Sequence, residues 1–413
     1  MSDTLRAVTE ATRSARLFRT PMLAIASGLV VAIAAAVLAA RHASPSEVSP
    51  VSPAHEPWHA LWTWGVVAAF GLYAAGTWLA RKGALSLRAA VVTAVVVQAL
   101  PLAAPLLLSK DVYLYWTEAR IAIVHHANPY RSVPGDYPKD PSYPFVSQSW
   151  LTATTQYGPA WEGLGALPAA AAGSSAHRAE LGYRALALLG VLLTVLIVAR
   201  RTRNAAMVAL LGWSPLVALH FAGGGHNDAW MTALLVLGVA APASAAGGAA
   251  WPVAAALKFV PAILLPLELA ARRLRATRGW WLGLVGGTLV VAAAATAVFG
   301  PRWVTATAAG AHQTSPLGGV HWLTELGLRH RYAVVAGALA FAAVYLTLLR
   351  SAWRSGRARL SLAATALCLT SSLLRPWYAL WPLALAAVEE DELAALAALA
   401  LSAYVLFADA VPL

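Results

Sequence analysis

Lys258 stands in Leu257-Lys258-Phe259-Val260-Pro261, in the middle of a long apolar run. An ammonium at that depth needs an anionic partner or ligand, or it must snorkel to the interface. Snorkelling is hard for a residue at the tip of a half-span. Arg375 opens Arg375-Pro376-Trp377-Tyr378-Ala379-Leu380-Trp381. A guanidinium among indole and phenol rings is either an interfacial anchor or a fork that grips a phosphate through parallel hydrogen bonds. Gly223-Gly224-Gly225-His226-Asn227-Asp228 places an imidazole, a carboxamide and a carboxylate on one glycine-tightened turn. Such groups at a membrane boundary are costly unless paired or used, so this is either a polar turn or part of a site. His226 and Asp228 alone do not make a metal-binding pattern, and no metal is expected.

A second polar cluster runs from Ser109 to Arg120 and contains Asp111, Tyr113, Tyr115 and Glu118. From Asp111 to His126 the pattern is helical, with Val112, Tyr115, Trp116, Ala119 and Ile123 as one apolar stripe. This predicts a helix lying along the membrane surface. Asp111 falls at its N-terminal end, where the simplest role is an N-cap, and Glu118 and Arg120 read as a solvated face. Asn128-Pro129-Tyr130 stops the helix, and Tyr157-Gly158-Pro159 turns the chain into the next membrane segment. Further along, Arg302, His312, His321, Trp322 and Glu325 are candidates for ligand contact without a pattern to rank them.

The elements that must hold these residues follow from composition. Of 413 residues, 59% are hydrophobic and 12% charged, with a mean hydropathy of +0.64. Soluble proteins carry about 25% charged residues, so this chain cannot coat a water-soluble surface. Apolar runs at 21–40, 58–80, 89–108, 183–199, 204–221, 228–246, 280–299, 332–349, 360–374, 377–388 and 393–409 predict about 11 membrane spans. Two further segments are broken or re-entrant. Residues 158–175 contain Glu162 and Pro168, and 248–271 contain Lys258 and Pro261. Such backbone is tolerated only where it lines a cavity or is buried in protein. The expected fold is an all-α polytopic membrane protein, with residues 1–413 forming one integral membrane domain and no separate soluble domain.

Charge sets the orientation. The net charge of +12 could suggest nucleic acid, but the basic residues collect in short loops beside apolar runs. They include Arg6, Arg13, Arg16 and Arg19, then the groups at 81–88, 200–203, 272–278 and 350–359. The positive-inside rule puts those loops in the cytoplasm and the two long loops, 109–157 and 300–331, on the other face. The loop from Ser44 to Glu56 is also expected outside. No nucleic-acid partner is expected. The single cysteine, Cys368, allows no intrachain disulfide. P-loop, DxD, HExxH and GxSxG patterns are absent, so nucleotide–metal binding, zinc proteolysis and serine hydrolysis have no support in the sequence.

In combination the short motifs resemble a family. Asp-Val-Tyr at the exit of a span, Asn-Pro-Tyr, Thr-Thr-Gln-Tyr-Gly-Pro and Gly-Gly-His-Asn-Asp resemble the GT-C membrane glycosyltransferases over roughly residues 89–385. Within them the sequence is most similar to the actinobacterial polyprenyl-phosphate-mannose-dependent α-1,6-mannosyltransferases. The resemblance implies a bundle of spans with a catalytic extracytoplasmic loop, a polyprenyl-phosphate sugar donor and a glycolipid or lipid-linked glycan acceptor. It implies no cofactor and a site in the bacterial plasma membrane. Asp111 would be the catalytic base, with Lys258, Arg375 and His226 on the donor phosphate. Tyr113, Tyr115, Glu118, Asn128, Tyr130, Tyr157, Asn227, Asp228, Trp377 and Tyr378 would line the substrate cavity. A transporter or flippase of lipid-linked saccharides is the alternative; it would share the cationic cavity without needing Asp111 as a base.

Overall fold

The computed structural model describes residues 19–43, 58–273, 276–310 and 313–411. Arg6, Arg13, Arg16, the loop from Ser44 to Glu56, and His312 lie outside the described residues. The described chain is all-helical. Six helices are long and apolar enough to cross a membrane. They are α1 (Arg19–Ala43), α2 (His59–Arg81), α6 (Ala176–Thr202), α12 (Arg278–Phe299), α14 (His330–Ser355) and α17 (Glu392–Ala410). Shorter pieces lie between them: α3 (Leu87–Ala99), α4 (Asp111–Ile123), α5 (Pro159–Ala172), α7 (Ala205–Gly212), α8 (Pro215–Phe221), α9 (Asp228–Ala240), α10 (Ala245–Leu257), α11 (Val260–Arg272), α13 (Gly319–Glu325), α15 (Leu360–Thr370) and α16 (Leu380–Glu389).

Several expected spans are therefore interrupted, and each interruption has a local cause. The run 204–221 breaks at Trp213-Ser214, where Pro215 starts α8 and the Ser214 hydroxyl accepts from the Val217 amide. The run 89–108 ends its α-helix at Ala99, and Pro101 takes the chain into a 3-10 turn, Leu100–Ala103. The segment 248–271 breaks at Lys258, whose backbone is extended between α10 and α11. That break agrees with the sequence expectation.

The loops sort by charge as expected. Arg81, Arg203 and Glu390 share one pocket at one end of the bundle. Arg201, Arg272, Arg357, Arg359 and Asp391 line another, and Arg359 Nε donates to Asp391 Oδ2 at 2.7 Å. Several helices that start at this end are capped by side chains: Ser86, Asn204, Ser244, Thr277 and Asp391 accept first-turn amides. The two long loops meet at the other end. Asn128 Nδ2 donates to the Phe299 carbonyl at 2.6 Å, and Gln313 Nε2 donates to Gln156 Oε1 at 3.1 Å.

The surface-helix expectation for 111–126 is corrected. Helix α4 ends at Ile123, and every residue from Val112 to Ile121 is buried, the polar side included. It packs on α5 and α6, and the 134–151 segment folds over it. Arg120 and Glu118 are consequently not a solvated face. Arg120 Nε donates to Asp140 Oδ1 at 2.8 Å, and His125 Nε2 lies 2.7 Å from Asp140 Oδ2. Burial opposes ionisation of Asp140, but hydrogen bonds from Arg120, Ser142 and His125 outweigh it and hold its carboxyl well below the usual carboxylate range.

Candidate active site

A cavity of about 520 Å³ opens at the end of the bundle where the long loops meet. Its wall carries Asp111, Lys258 and Arg375 together with Tyr115, Tyr157, Trp377 and Tyr378. Its size is in the range of small-molecule sites.

Asp111 opens α4. The N-cap position is Lys110, without a side-chain cap bond, so Asp111 does not play the capping role. Its own amide donates to Ser109 Oγ at 3.2 Å. The carboxylate keeps 24% of its side-chain surface exposed, and Oδ2 lies 3.5 Å from His226 Nδ1. Burial pushes the Asp111 carboxyl above the usual carboxylate range, against the pull of the Arg375 and Lys258 charges and the Ser109 hydroxyl.

The glycine turn is docked directly beneath. The Leu107 amide donates to the Gly223 carbonyl at 3.0 Å. Gly225 has a φ of +76°, and a Cβ there would meet Val112 Cγ1 at 2.4 Å, so only glycine lets α4 approach so closely. His226 is fully buried and stacks on Trp377 with ring centroids 3.6 Å apart. It stands behind Asp111 and is absent from the cavity wall. Asn227 is buried, and among the described residues its carboxamide has no hydrogen-bond partner.

Asp228 has a definite partner. Lys258 Nζ donates to both of its carboxylate oxygens at 2.9 Å, and Trp381 Nε1 donates to Oδ1 at 2.7 Å. Lys258 also lies over the Tyr378 ring, 4.3 Å from the centroid. The break between α10 and α11 is pressed against the Tyr157-Gly158 turn. The Gly158 amide donates to the Leu257 carbonyl at 3.2 Å, and a Cβ on Gly158 would sit 2.0 Å from the Ala256 carbonyl oxygen. Arg375 lies 6.0 Å from the Trp377 ring centroid, and among the described residues no carboxylate pairs with it.

Besides His226, Asn227 and Asp228, four of the residues named from sequence stand off the cavity wall. Tyr113 is buried against Phe145. Glu118 is buried near Glu162 and Thr155, where Thr155 Oγ1 donates to Glu162 Oε1 at 2.8 Å. Asn128 holds its own turn by accepting from the Tyr130 amide at 2.9 Å. Tyr130 supports the wall from behind, donating its hydroxyl to the Tyr157 carbonyl at 3.0 Å. Each has an internal polar or aromatic neighbour that draws it away from the cavity. In the second long loop, Trp322 Nε1 donates to the Tyr404 hydroxyl at 2.7 Å, and His321 lies 4.0 Å from Glu325. Neither these three nor Arg302 reaches the wall.

The structure adds residues that sequence reasoning missed. Gln156 and Gln313 join the two long loops at the wall, and Asp409 reaches it from the last turn of α17. Asp409 carried a signal, an acidic residue near the end of an apolar span. Arg184 is fully buried and donates to the Ala222 carbonyl at 2.8 Å, the Ala104 carbonyl at 2.9 Å, the Pro101 carbonyl and Glu180. It fastens the segment before Asp111 to the segment before His226. Its signal was an i,i+4 charge pair inside an apolar helix. Among the described residues no three His, Cys, Asp or Glu side chains form a group that could hold a metal ion.

A carboxylate and a cation without a carboxylate partner thus share one cavity in an apolar bundle. Known proteins give this arrangement a context. Residues 19–272 match the family described as alpha-(1->6)-mannopyranosyltransferase, N-terminal domain. The protein named alpha-(1->6)-mannopyranosyltransferase A of Mycobacterium tuberculosis is 27% identical over 340 residues, covering 72% of this chain and 65% of that protein. The protein of the same name from Corynebacterium glutamicum is 29% identical over 172 residues, covering 40% of this chain and 34% of that protein. A probable alpha-(1->6)-mannopyranosyltransferase of Mycolicibacterium smegmatis is 30% identical over 147 residues, covering 33% and 26%. The matched regions thus span less than two thirds of each of these relatives. No solved structure matches the chain. More than half of the chain, including Asp111, His226, Asp228 and Lys258, lies inside the family match, and this multi-pass membrane protein belongs to the alpha-(1->6)-mannopyranosyltransferase family.

Proposed function

We propose that the chain transfers a mannosyl group from a polyprenyl-phosphate donor to a hydroxyl of a glycolipid or lipid-linked glycan. The reaction takes place on the extracytoplasmic face of a bacterial plasma membrane, in a GT-C-like bundle. The observation that carries this reading is the sharing of one cavity by Asp111 and Arg375. Lys258 is a weaker phosphate ligand than its charge suggests, because Asp228 neutralises it. The names of the relatives support mannose as the sugar.

The chemistry then divides between two groups. Asp111 takes the proton of the acceptor hydroxyl as its oxygen attacks the anomeric carbon. The bond from that carbon to the phosphate oxygen breaks, and its electron pair stays on the lipid phosphate. Arg375 stabilises the charge that builds there, aided by the weaker field of the Lys258–Asp228 pair. Backside displacement turns a β-linked donor into an α-linked product. Tyr115, Tyr157 and Trp377 line the cavity in which the sugar would sit.

The basic loops gather at the end of the bundle away from the cavity, which supports the extracytoplasmic assignment. The testing experiment incubates the purified chain in lipid with polyprenyl-phosphate mannose and a mannolipid acceptor. Release of the lipid phosphate together with a longer α-mannolipid is expected. Movement of intact donor across the bilayer without its consumption would overturn transfer in favour of a flippase.

A further inference from the structure

Asp409 is the last charged residue of the described chain, in the final turn of α17. Three features make it expensive as mere structure. Helix α17 is apolar, with Glu392 and Asp409 its only charged residues. A carboxylate in the last turn faces the negative end of the helix dipole, the unfavourable end for an anion. Among the described residues no lysine or arginine lies within ion-pair distance of it; the Arg375 charge acts on it from farther along the same wall, and the nearer neighbour is the His220 ring, with Nε2 3.5 Å from Asp409 Oδ2. His220 is fully buried, and neither ring nitrogen has a hydrogen-bond partner among the described residues.

The carboxylate is nevertheless held in place and presented. Trp62 Nε1 donates to the carbonyl of the next residue, Ala410, at 2.6 Å, which fixes the end of α17. Asp409 keeps 30% of its side-chain surface exposed and lies on the wall of the cavity that carries Asp111. The two carboxylates are built alike. Asp111 has His226 behind it and Asp409 has His220, and Trp377 packs on both rings, at 3.6 Å and 5.9 Å between centroids.

We propose that Asp409, seated on His220, is a sugar-binding residue that accepts hydrogen bonds from ring hydroxyls of a hexose in the cavity. A carboxylate offers two acceptor oxygens and no donor, which suits a pair of neighbouring hydroxyls. Trp377, which packs on His220 and His226, stands on the same wall and adds apolar surface beside the carboxylate. The inference rests on the mannosyl-transfer reading for the identity of the hexose. The hexose is either that of the donor or that of the acceptor, and the chemistry recognised is the same.

The test compares the full chain in lipid nanodiscs with Asp409→Asn and the shape-changing Asp409→Ala. Steady-state kinetics with polyprenyl-phosphate mannose and a mannolipid acceptor give KM for each. Tryptophan fluorescence titration with each lipid measures binding without turnover. Losing hydrogen bonds to a charged group is worth about 10- to 100-fold. Asp409→Asn is expected to raise the KM and weaken the binding of one lipid by that factor. A rise for the donor assigns the donor sugar, and a rise for the acceptor assigns the acceptor sugar. The pH profile of kcat should stay that of the native chain. Unchanged KM and affinity for both lipids, with a folded variant, would overturn the proposal. So would loss of kcat with a displaced pH profile and unchanged affinities. If the native chain transfers no mannose, the function reading fails, while binding of either lipid that depends on Asp409 would still uphold sugar recognition by this residue.

Discussion

Lys258 and Asp228, thirty residues apart in sequence, form a two-pronged ion pair, with Nζ 2.9 Å from each carboxylate oxygen. The pair joins the break between α10 and α11 to the first turn of α9. It answers the question posed by a lysine in an apolar run, because the anion that offsets it belongs to the protein. Breaking a buried pair from one side typically costs about 3–5 kcal/mol, because the other charge is left uncompensated. Lys258→Ala is therefore expected to lower stability by about that amount in detergent unfolding. The double variant Lys258→Met with Asp228→Asn should be markedly more stable than Lys258→Ala. Equal stability of the two would mean that the pair is not the reason for the loss.

In the proposed reaction Arg375 is the residue that carries the donor phosphate. Arg375→Ala should raise the KM for the lipid-phosphate donor by about 10- to 100-fold, the worth of hydrogen bonds to a charged group. Arg375→Lys should fall between, since an ammonium lacks the planar fork. The acceptor KM should move far less. A larger effect on the acceptor would place the phosphate elsewhere.

The acid limb of kcat/KM gives a separate check. Asp111 must be ionised to accept a proton, and burial holds its carboxyl above the usual range of about 3.9. Activity should therefore fall as pH drops through a value above the ordinary carboxylate range. Arg375 and Lys258 pull that carboxyl down, whereas Asp228 pushes it up. Arg375→Ala should accordingly move the limb to higher pH. A limb that stays fixed, or moves down, would separate Asp111 from the titrating group.

Orientation is open to labelling. Cys368 is buried, so the native background is low. Ser149 is exposed on the cavity end and Ser355 on the basic end. In intact cells a membrane-impermeant thiol reagent should modify Ser149→Cys and spare Ser355→Cys. The reverse pattern would turn the bundle over.

Much of this was legible from residue types. A lysine amid apolar residues, with Pro261 beyond it, marked the break in the helix, because a buried ammonium and a proline both resist a continuous span. The clustering of arginines separated the two ends of the bundle. What could not be read was the choice of partner. Nothing in the order of residues ties Asp228 to Lys258 rather than to a ligand, or buries Glu118 beside Glu162, since those contacts are made between helices. The stripe on α4 was real, but its polar side was also covered, by a segment rich in proline and tyrosine that carries no periodicity of its own. Asp409 escaped notice because a single carboxylate near the end of a span looks like an ordinary boundary residue until the helix end is seen to face the cavity.

The most direct test is the transfer rate of Asp111→Asn measured beside its donor affinity. Asparagine keeps the size of the side chain and its place at the start of α4, but it does not accept a proton at neutral pH. General base catalysis contributes about 10²–10⁴-fold. The account predicts a folded variant that binds polyprenyl-phosphate mannose with near-native affinity and transfers it about 10²–10⁴-fold more slowly. Transfer within a few-fold of the native rate would contradict it and remove Asp111 from the chemistry.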